Sequence, residues 1–111
     1  NGGTLRGARV DGILGDGIYA GYGNWTISGV QVYDNATGIH SQAYHSGNTL
    51  ANNLVYDNRD RGMLIDDGQT SSGTLLLTNN TVMELSSDAV HSQSWRPAAF
   101  CSCNQATRGL V

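Results

Sequence analysis

Four similar stretches decide the fold: Leu5-Arg-Gly-Ala-Arg-Val10, Ile27-Ser-Gly-Val-Gln-Val32, Leu50-Ala-Asn-Asn-Leu-Val55 and Leu77-Thr-Asn-Asn-Thr-Val82. Each begins with an aliphatic residue and reaches Val five positions later, at spacings of 22, 23 and 27 residues between copies. A second series follows them in the same order: Gly17-Ile18-Tyr19, Gly38-Ile39-His40, Gly62-Met63-Leu64 and Ala89-Val90-His91. The chain is therefore built from repeats of one short unit.

A unit of this length with short alternating apolar stretches is typical of one coil of a β-solenoid. A single coil has nowhere to bury its apolar side chains, whereas stacked coils align them in columns at the strand spacing of ~4.8 Å. We expect three inward columns, formed by the first residues of the four stretches, by their valines, and by Ile18, Ile39, Met63 and Val90. The prediction is an all-β parallel β-helix of about four to five coils, of roughly 22–27 residues each, over residues 1–93. Residues 94–111 are expected to form a non-repeat cap or tail, because Pro97 would interrupt a ladder strand.

Composition excludes several other classes of protein. Among the 111 residues, 39% are hydrophobic and 14% are charged, with 15 Gly and a single Pro. The net charge of −3 argues against nucleic-acid binding, which needs a basic face. No apolar run approaches the ~20 residues that a membrane-spanning helix needs. The first residue is Asn rather than Met, so we expect a processed chain or part of a longer one.

The repeat pattern of residues 5–93 resembles the parallel β-helix repeats of the pectate-lyase-like superfamily, whose coils wind in the right-handed sense. That superfamily includes pectate lyases, polygalacturonases, alginate epimerases and phage tailspikes. The resemblance implies a secreted, extracellular or cell-surface protein. It also implies a polysaccharide lyase, epimerase or hydrolase that acts on or binds an acidic polysaccharide.

One outward face gathers the side chains that this chemistry needs. If Ile39 and Val90 point inward, strand alternation places His40 and His91 outward, two coils apart. A uronate-processing enzyme needs a base for the C5 proton and an acid for the leaving oxygen or the opposite face. The candidate catalytic residues are Tyr19, His40, Asp66, Asp67 and His91. The candidate substrate-binding residues are Gln42, Tyr44, His45, Arg61 and Gln93.

Two alternatives stand beside this interpretation. Asp16-Gly17-Ile18, Asp66-Asp67 and His91 resemble the three catalytic elements of polygalacturonases, although an extra coil separates the first two. The outward histidines are also compatible with ordinary polar surface residues that the repeat has copied.

Asp34, Asp57 and Glu84 occupy equivalent sequence positions in three coils and predict an acidic column. Like charges one strand apart repel, and a bound Ca²⁺ ion, the one candidate cofactor, would relieve that repulsion. Alternatively, these carboxylates accept backbone N–H bonds in solvated turns. Tyr33 and Tyr56, just before the column, are expected to stack on a sugar ring or on each other.

A second class of function is structural. A short solenoid leaves unpaired backbone and exposed apolar columns at both ends, and such edges normally need caps or partners. The alternative prediction is therefore a non-catalytic, filament-forming module that stacks end to end or on a partner.

Overall fold

The computed structural model describes residues 2–43, 47–66, 76–84, 88–92, 99–100 and 105–106. Fourteen short strands follow one another in these ranges. They are β1 (Gly3–Arg6), β2 (Arg9–Asp11), β3 (Asp16–Tyr22), β4 (Trp25–Ser28), β5 (Gln31–Tyr33), β6 (Thr37–Ala43), β7 (Thr49–Ala51), β8 (Leu54–Tyr56), β9 (Arg61–Ile65), β10 (Leu76–Thr78), β11 (Thr81–Met83), β12 (Asp88–Ser92), β13 (Ala99–Phe100) and β14 (Gln105–Ala106).

Each strand pairs with the strand three places later in the chain, and this pattern is the signature of a three-sided solenoid. Sheet A has the order β1-β4-β7-β10-β13, sheet B the order β2-β5-β8-β11-β14, and sheet C the order β3-β6-β9-β12. All of these pairings are parallel. Each coil therefore contributes one strand to each sheet, and four coils are followed by two strands of a fifth.

The three predicted inward columns are confirmed. Ile27 pairs with Leu50, Val32 with Val55, and Ile39 with Met63, and all six side chains are at most 1% exposed. Because the strands are parallel and in register, each column runs along the solenoid axis as one continuous core. The first coil is less covered, since Leu5 and Val10 are only partly buried against this core.

Asparagine stacks line the corner between sheets A and B. Asn52 and Asn79 adopt left-handed backbone angles, with φ of 57° and 55°, and the next residues, Asn53 and Asn80, turn their amides inward. Asn53 Nδ2 donates to Asn80 Oδ1 at 3.0 Å, and Val30 N donates to Asn53 Oδ1 at 3.1 Å. These asparagines therefore have a structural role: they satisfy backbone groups that the turn removes from the ladder.

Strand pairing continues where the sequence repeat fades. Two strands beyond residue 93 join the sheets: β13 pairs with Leu76 and Leu77 of β10, and β14 pairs with Thr81 and Val82 of β11. Phe100 pairs with Leu77 and Ala106 with Val82, so these strands hold Phe and Ala, six positions apart, where the earlier copies hold an aliphatic residue and Val. The stacking thus extends into the segment that we expected to be a non-repeat cap or tail.

Candidate functional site

Sheet C carries a cluster of polar side chains on its outer face. Tyr19 pairs with His40, which pairs with Leu64, so their side chains form one outward row across three coils. The row two residues further along contains Gln42 and leads into Asp66, just after β9. We call the group made of Asp16, Tyr19, His40, Gln42 and Asp66 the sheet C cluster.

His40 lies at the centre of this cluster, between two carboxylates. Its Nδ1 atom is 2.8 Å from Asp16 Oδ2, and its Nε2 atom is 4.0 Å from Asp66 Oδ2. The histidine side chain is 16% exposed, whereas the two carboxylates are 33% and 34% exposed. The imidazole is therefore largely shielded, while the charged groups on either side of it reach solvent.

The contacts define which nitrogen of His40 is available. An ionised carboxylate only accepts hydrogen bonds, so in the contact with Asp16 the proton resides on Nδ1. Nε2 is buried and has no hydrogen-bond partner among the described residues. In a neutral imidazole with this tautomer, Nε2 presents a lone pair, which is the state of a general base or of a hydrogen-bond acceptor.

Tyr19 and Gln42 connect the centre of the cluster to its rim. The Tyr19 ring meets the His40 ring edge to face, with centroids 5.1 Å apart, and its hydroxyl donates to Gln42 Oε1. Gln42 Nε2 in turn donates to Asp66 Oδ2 at 3.1 Å. A chain of hydrogen bonds thus runs from the tyrosine of the first coil to the carboxylate of the third.

Gly21 provides the space in which the Tyr19 ring lies. A Cβ atom at this position would come within 2.7 Å of Tyr19 Cε2 and 3.1 Å of the hydroxyl oxygen. The ring therefore lies directly over the backbone of its own strand, and Tyr19 still remains 52% exposed. A larger residue at position 21 would displace the ring from Gln42 and His40.

The predicted site residues fall into three groups. Tyr19, His40, Gln42 and Asp66 come together in the cluster. Arg61 lies in the row of Asp16 and Thr37, two coils away from Asp16, and forms no hydrogen bond or ion pair with the cluster among the described residues. The remaining candidates lie outside the described residues, namely Tyr44, His45, Asp67, Gln93 and the side chain of His91.

Two residues here go beyond the candidate catalytic and substrate-binding residues, namely Asp16, a member of the cluster, and Tyr22, the last residue of β3. Asp16 was visible only within Asp16-Gly17-Ile18, and its contact with His40 crosses from one coil to the next. Tyr22 ends β3 with a φ of 69°, a left-handed angle that is unusual for a bulky residue, and its side chain is 59% exposed. The repeat pattern indicates neither the contact of Asp16 with His40 nor the backbone angle of Tyr22, since both depend on how neighbouring coils turn.

The acidic column predicted from Asp34, Asp57 and Glu84 does not form. Asp34 and Asp57 are exposed at left-handed corner positions, but Glu84 is fully buried. Its carboxylate accepts from Asn58 N at 2.7 Å and from Asn58 Nδ2 at 3.0 Å. Glu84 therefore takes the inward place that asparagine holds in the coil before it.

A difference of one residue in the length of the corner explains why Glu84 is buried while Asp34 and Asp57 are exposed. Val55 pairs with Val82, 27 residues later, whereas Asn58 bonds to Glu84, which is only 26 residues later. Glu84 therefore follows β11 directly and turns inward. Asp34, for its part, pairs with Arg59 at 3.4 Å. Within the described residues, no group of three or more His, Cys, Asp or Glu side chains is arranged to hold a metal ion.

Tyr33 and Tyr56 form a stacked pair on the outer face of sheet B. Their ring centroids are 4.9 Å apart and their planes differ by 12°. Because each ring covers a face of the other, the geometry matches the cross-strand pair that the sequence also predicted.

The comparisons with known proteins bear on the fold. A family model described as a right-handed β-helix region matches residues 1–108. The chain belongs to this right-handed β-helix family. Neither the comparison with curated proteins nor that with solved structures found a match. No helix in the described part of the β-helix is long and apolar enough to cross a membrane.

Proposed function

We propose that this β-helix binds a polysaccharide along the outer face of sheet C and that His40 is its proton-transfer group. The observation that carries the proposal is the buried Nε2 of His40, which has no hydrogen-bond partner among the described residues and whose ring is oriented by Asp16 at Nδ1. A buried polar atom without a partner is costly, and such atoms call for an explanation such as a catalytic role or a bound ligand. A sugar hydroxyl would supply the missing donor.

The surroundings of His40 fit a sugar chain. Tyr19 presents an exposed aromatic ring, Gln42 offers an amide, and Asp66 offers a carboxylate, within one row or two of His40. Aromatic rings pack against the apolar faces of sugars, and amides and carboxylates bond to their hydroxyls. Lyase, epimerase and hydrolase reactions all need a proton acceptor or donor beside the sugar ring. A secreted or cell-surface location belongs to the same proposal.

The test combines binding with turnover. Wild-type protein is titrated with a panel of polysaccharides by calorimetry, and release of reducing ends or of unsaturated uronates is followed on each binder. We expect His40→Gln to abolish turnover while affinity changes less than tenfold, and Tyr19→Ala to weaken binding. Gln31→Ala is the matched control, because Gln31 is exposed on the outer face of sheet B.

Asp16→Asn tests the positioning role of Asp16. The amide has both a donor and an acceptor, so it no longer selects the tautomer of His40. We expect the ¹⁵N shifts of the His40 ring to report a protonated Nδ1 in the wild type and a mixed tautomer in the variant. The proposal fails if no polysaccharide binds, or if His40→Gln and Tyr19→Ala behave like Gln31→Ala.

A second candidate function, a stacking module, is favoured by the first coil. Strands β1, β2 and β3 each form the edge of a sheet, and Leu5 and Val10 are only partly buried there. Within the described residues these three strands pair on one side only, and such edges over a partly open core favour pairing with another strand. Light scattering across a range of protein concentrations tests this function: assembly that is unaffected by His40→Gln supports it, and a monomer at all concentrations refutes it.

A further inference from the structure

We infer that the sheet C face takes an uncharged sugar chain rather than a uronate polymer. This inference rests on the proposed function and concerns the substrate class of the same site. The resemblance to the pectate-lyase-like superfamily implies an acidic polysaccharide, whereas the distribution of charge on this face argues for the opposite choice.

Two carboxylates flank the position where a sugar would meet His40. Asp16 lies 2.8 Å from one ring nitrogen and Asp66 lies 4.0 Å from the other, and about a third of each carboxylate side chain is exposed. Even a protonated His40 compensates only one of these two charges. A uronate placed against Nε2 would bring a third carboxylate beside them, in a partly shielded region where like charges repel strongly.

Among the described arginines, Arg6 and Arg9 belong to sheets A and B, and Arg59 and Arg61 form no hydrogen bond or ion pair with the sheet C cluster. Arg59 lies at the corner between sheets B and C, where it donates to Ile13 O and contacts Asp34. Arg61 is in the row of Asp16 but two coils away from it, roughly 10 Å by strand spacing, and it lies five residues before Asp66 along the chain. Neither guanidinium therefore lies beside Gln42 and Asp66, which form the rim of the cluster.

The other exposed groups suit a neutral chain. Tyr19 and Tyr22 are 52% and 59% exposed, and both belong to β3, which borders the cluster. Tyr22 has a left-handed backbone angle, and backbone strain of this kind concentrates at binding sites. The exposed Tyr19 ring, one amide and two carboxylate acceptors match the apolar faces and the many hydroxyl donors of an uncharged sugar.

A neutral substrate also restricts the chemistry. Elimination and C5 epimerisation both require a carboxyl group on C5 that makes the neighbouring proton acidic, and a neutral sugar lacks it. Binding without turnover, or hydrolysis in which water adds across the glycosidic bond, remains compatible with the face.

The test uses pairs of polymers that differ only in charge. Oligogalacturonate, alginate and hyaluronan fragments are each compared with their carboxyl-reduced counterparts, at low and high salt, with EDTA or with Ca²⁺. We expect at least one reduced polymer to bind about tenfold or more tightly than its acidic parent, with the ratio decreasing as salt screens the repulsion. Asp66→Asn is expected to narrow the ratio severalfold.

Asp57→Asn is the matched control, because it makes the same change in net charge at an exposed corner residue. Its φ of 53° is one that asparagine adopts readily. The inference is overturned if an acidic polymer binds as tightly as its reduced form at low salt, or if tight binding of the acidic polymer appears with Ca²⁺. It is also overturned if both variants change the ratio equally. Absence of binding by every polymer would instead refute the proposed function itself.

Discussion

The substitution Asn53→Ala tests whether the inward asparagines hold the coils together. Asn53 is 2% exposed, and its side chain bonds to both neighbouring coils. Oδ1 accepts from Val30 N at 3.1 Å, while Nδ2 donates to Ile27 O at 3.0 Å and to Asn80 Oδ1 at 3.0 Å. Alanine removes all three bonds.

The magnitude follows from the groups left behind. The N–H of Val30 is buried and loses the acceptor on Asn53, at a cost of about 1–3 kcal/mol, and the carbonyl of Ile27 adds a smaller cost. We therefore expect the free energy of unfolding to fall by about 2–4 kcal/mol. That is a large fraction of the roughly 5–15 kcal/mol typical of a domain.

The adjacent residue supplies the control. Asn52 is exposed, with a φ of 57°, and the same corner of the first two coils has Gly7 and Gly29 in left-handed conformations. Asn52→Gly is thus expected to change stability by less than about 1 kcal/mol. Asn53→Val, which copies the residue of the preceding coil, serves if the alanine variant does not fold.

Urea unfolding followed by circular dichroism measures these differences, with equal slopes as the condition for comparing midpoints. A loss below about 1 kcal/mol for Asn53→Ala would refute the reasoning. The same holds if Asn52→Gly destabilises as much as Asn53→Ala, because the inward amides would then contribute no more than the corner residues.

Substitutions at Gly21 and Glu84 test the site and the corner between sheets B and C. Gly21→Ala is expected to displace the Tyr19 ring, because its Cε2 atom would lie 2.7 Å from the new Cβ. The loss of NMR cross-peaks between the Tyr19 and His40 rings would show this displacement. Retention of those cross-peaks would contradict the packing of the Tyr19 ring over Gly21. Glu84→Ala leaves Asn58 N and Nδ2 without the acceptors on residue 84 and is expected to cost about 2–4 kcal/mol in urea unfolding. Glu84→Gln should cost less than half of that, because one amide oxygen accepts both bonds in the pair of Asn53 and Asn80; equal losses for the two variants would argue against this role of the carboxylate.

The inward columns were predictable from the sequence because they depend on a short local pattern. An aliphatic residue followed five positions later by Val sets the first two of the three strands of a coil, and burial of those residues leaves one way to align the copies. Ile27, Leu50, Val32 and Val55 therefore stack as expected. The outward row of Tyr19 and His40 follows from the same register through strand alternation.

The places of Glu84, Asp16 and Tyr22 were decided by the tertiary structure. Each depends on the length or angle of a corner, and a difference of one residue there turns a side chain from solvent to the core, as it does for Glu84. The contact of Asp16 with His40 joins residues 24 positions apart whose side chains lean across neighbouring coils. The repeat by itself determined which residues share a column, whereas the corners determined which polar groups meet, because corner geometry is set by contacts between coils and not by the pattern within one.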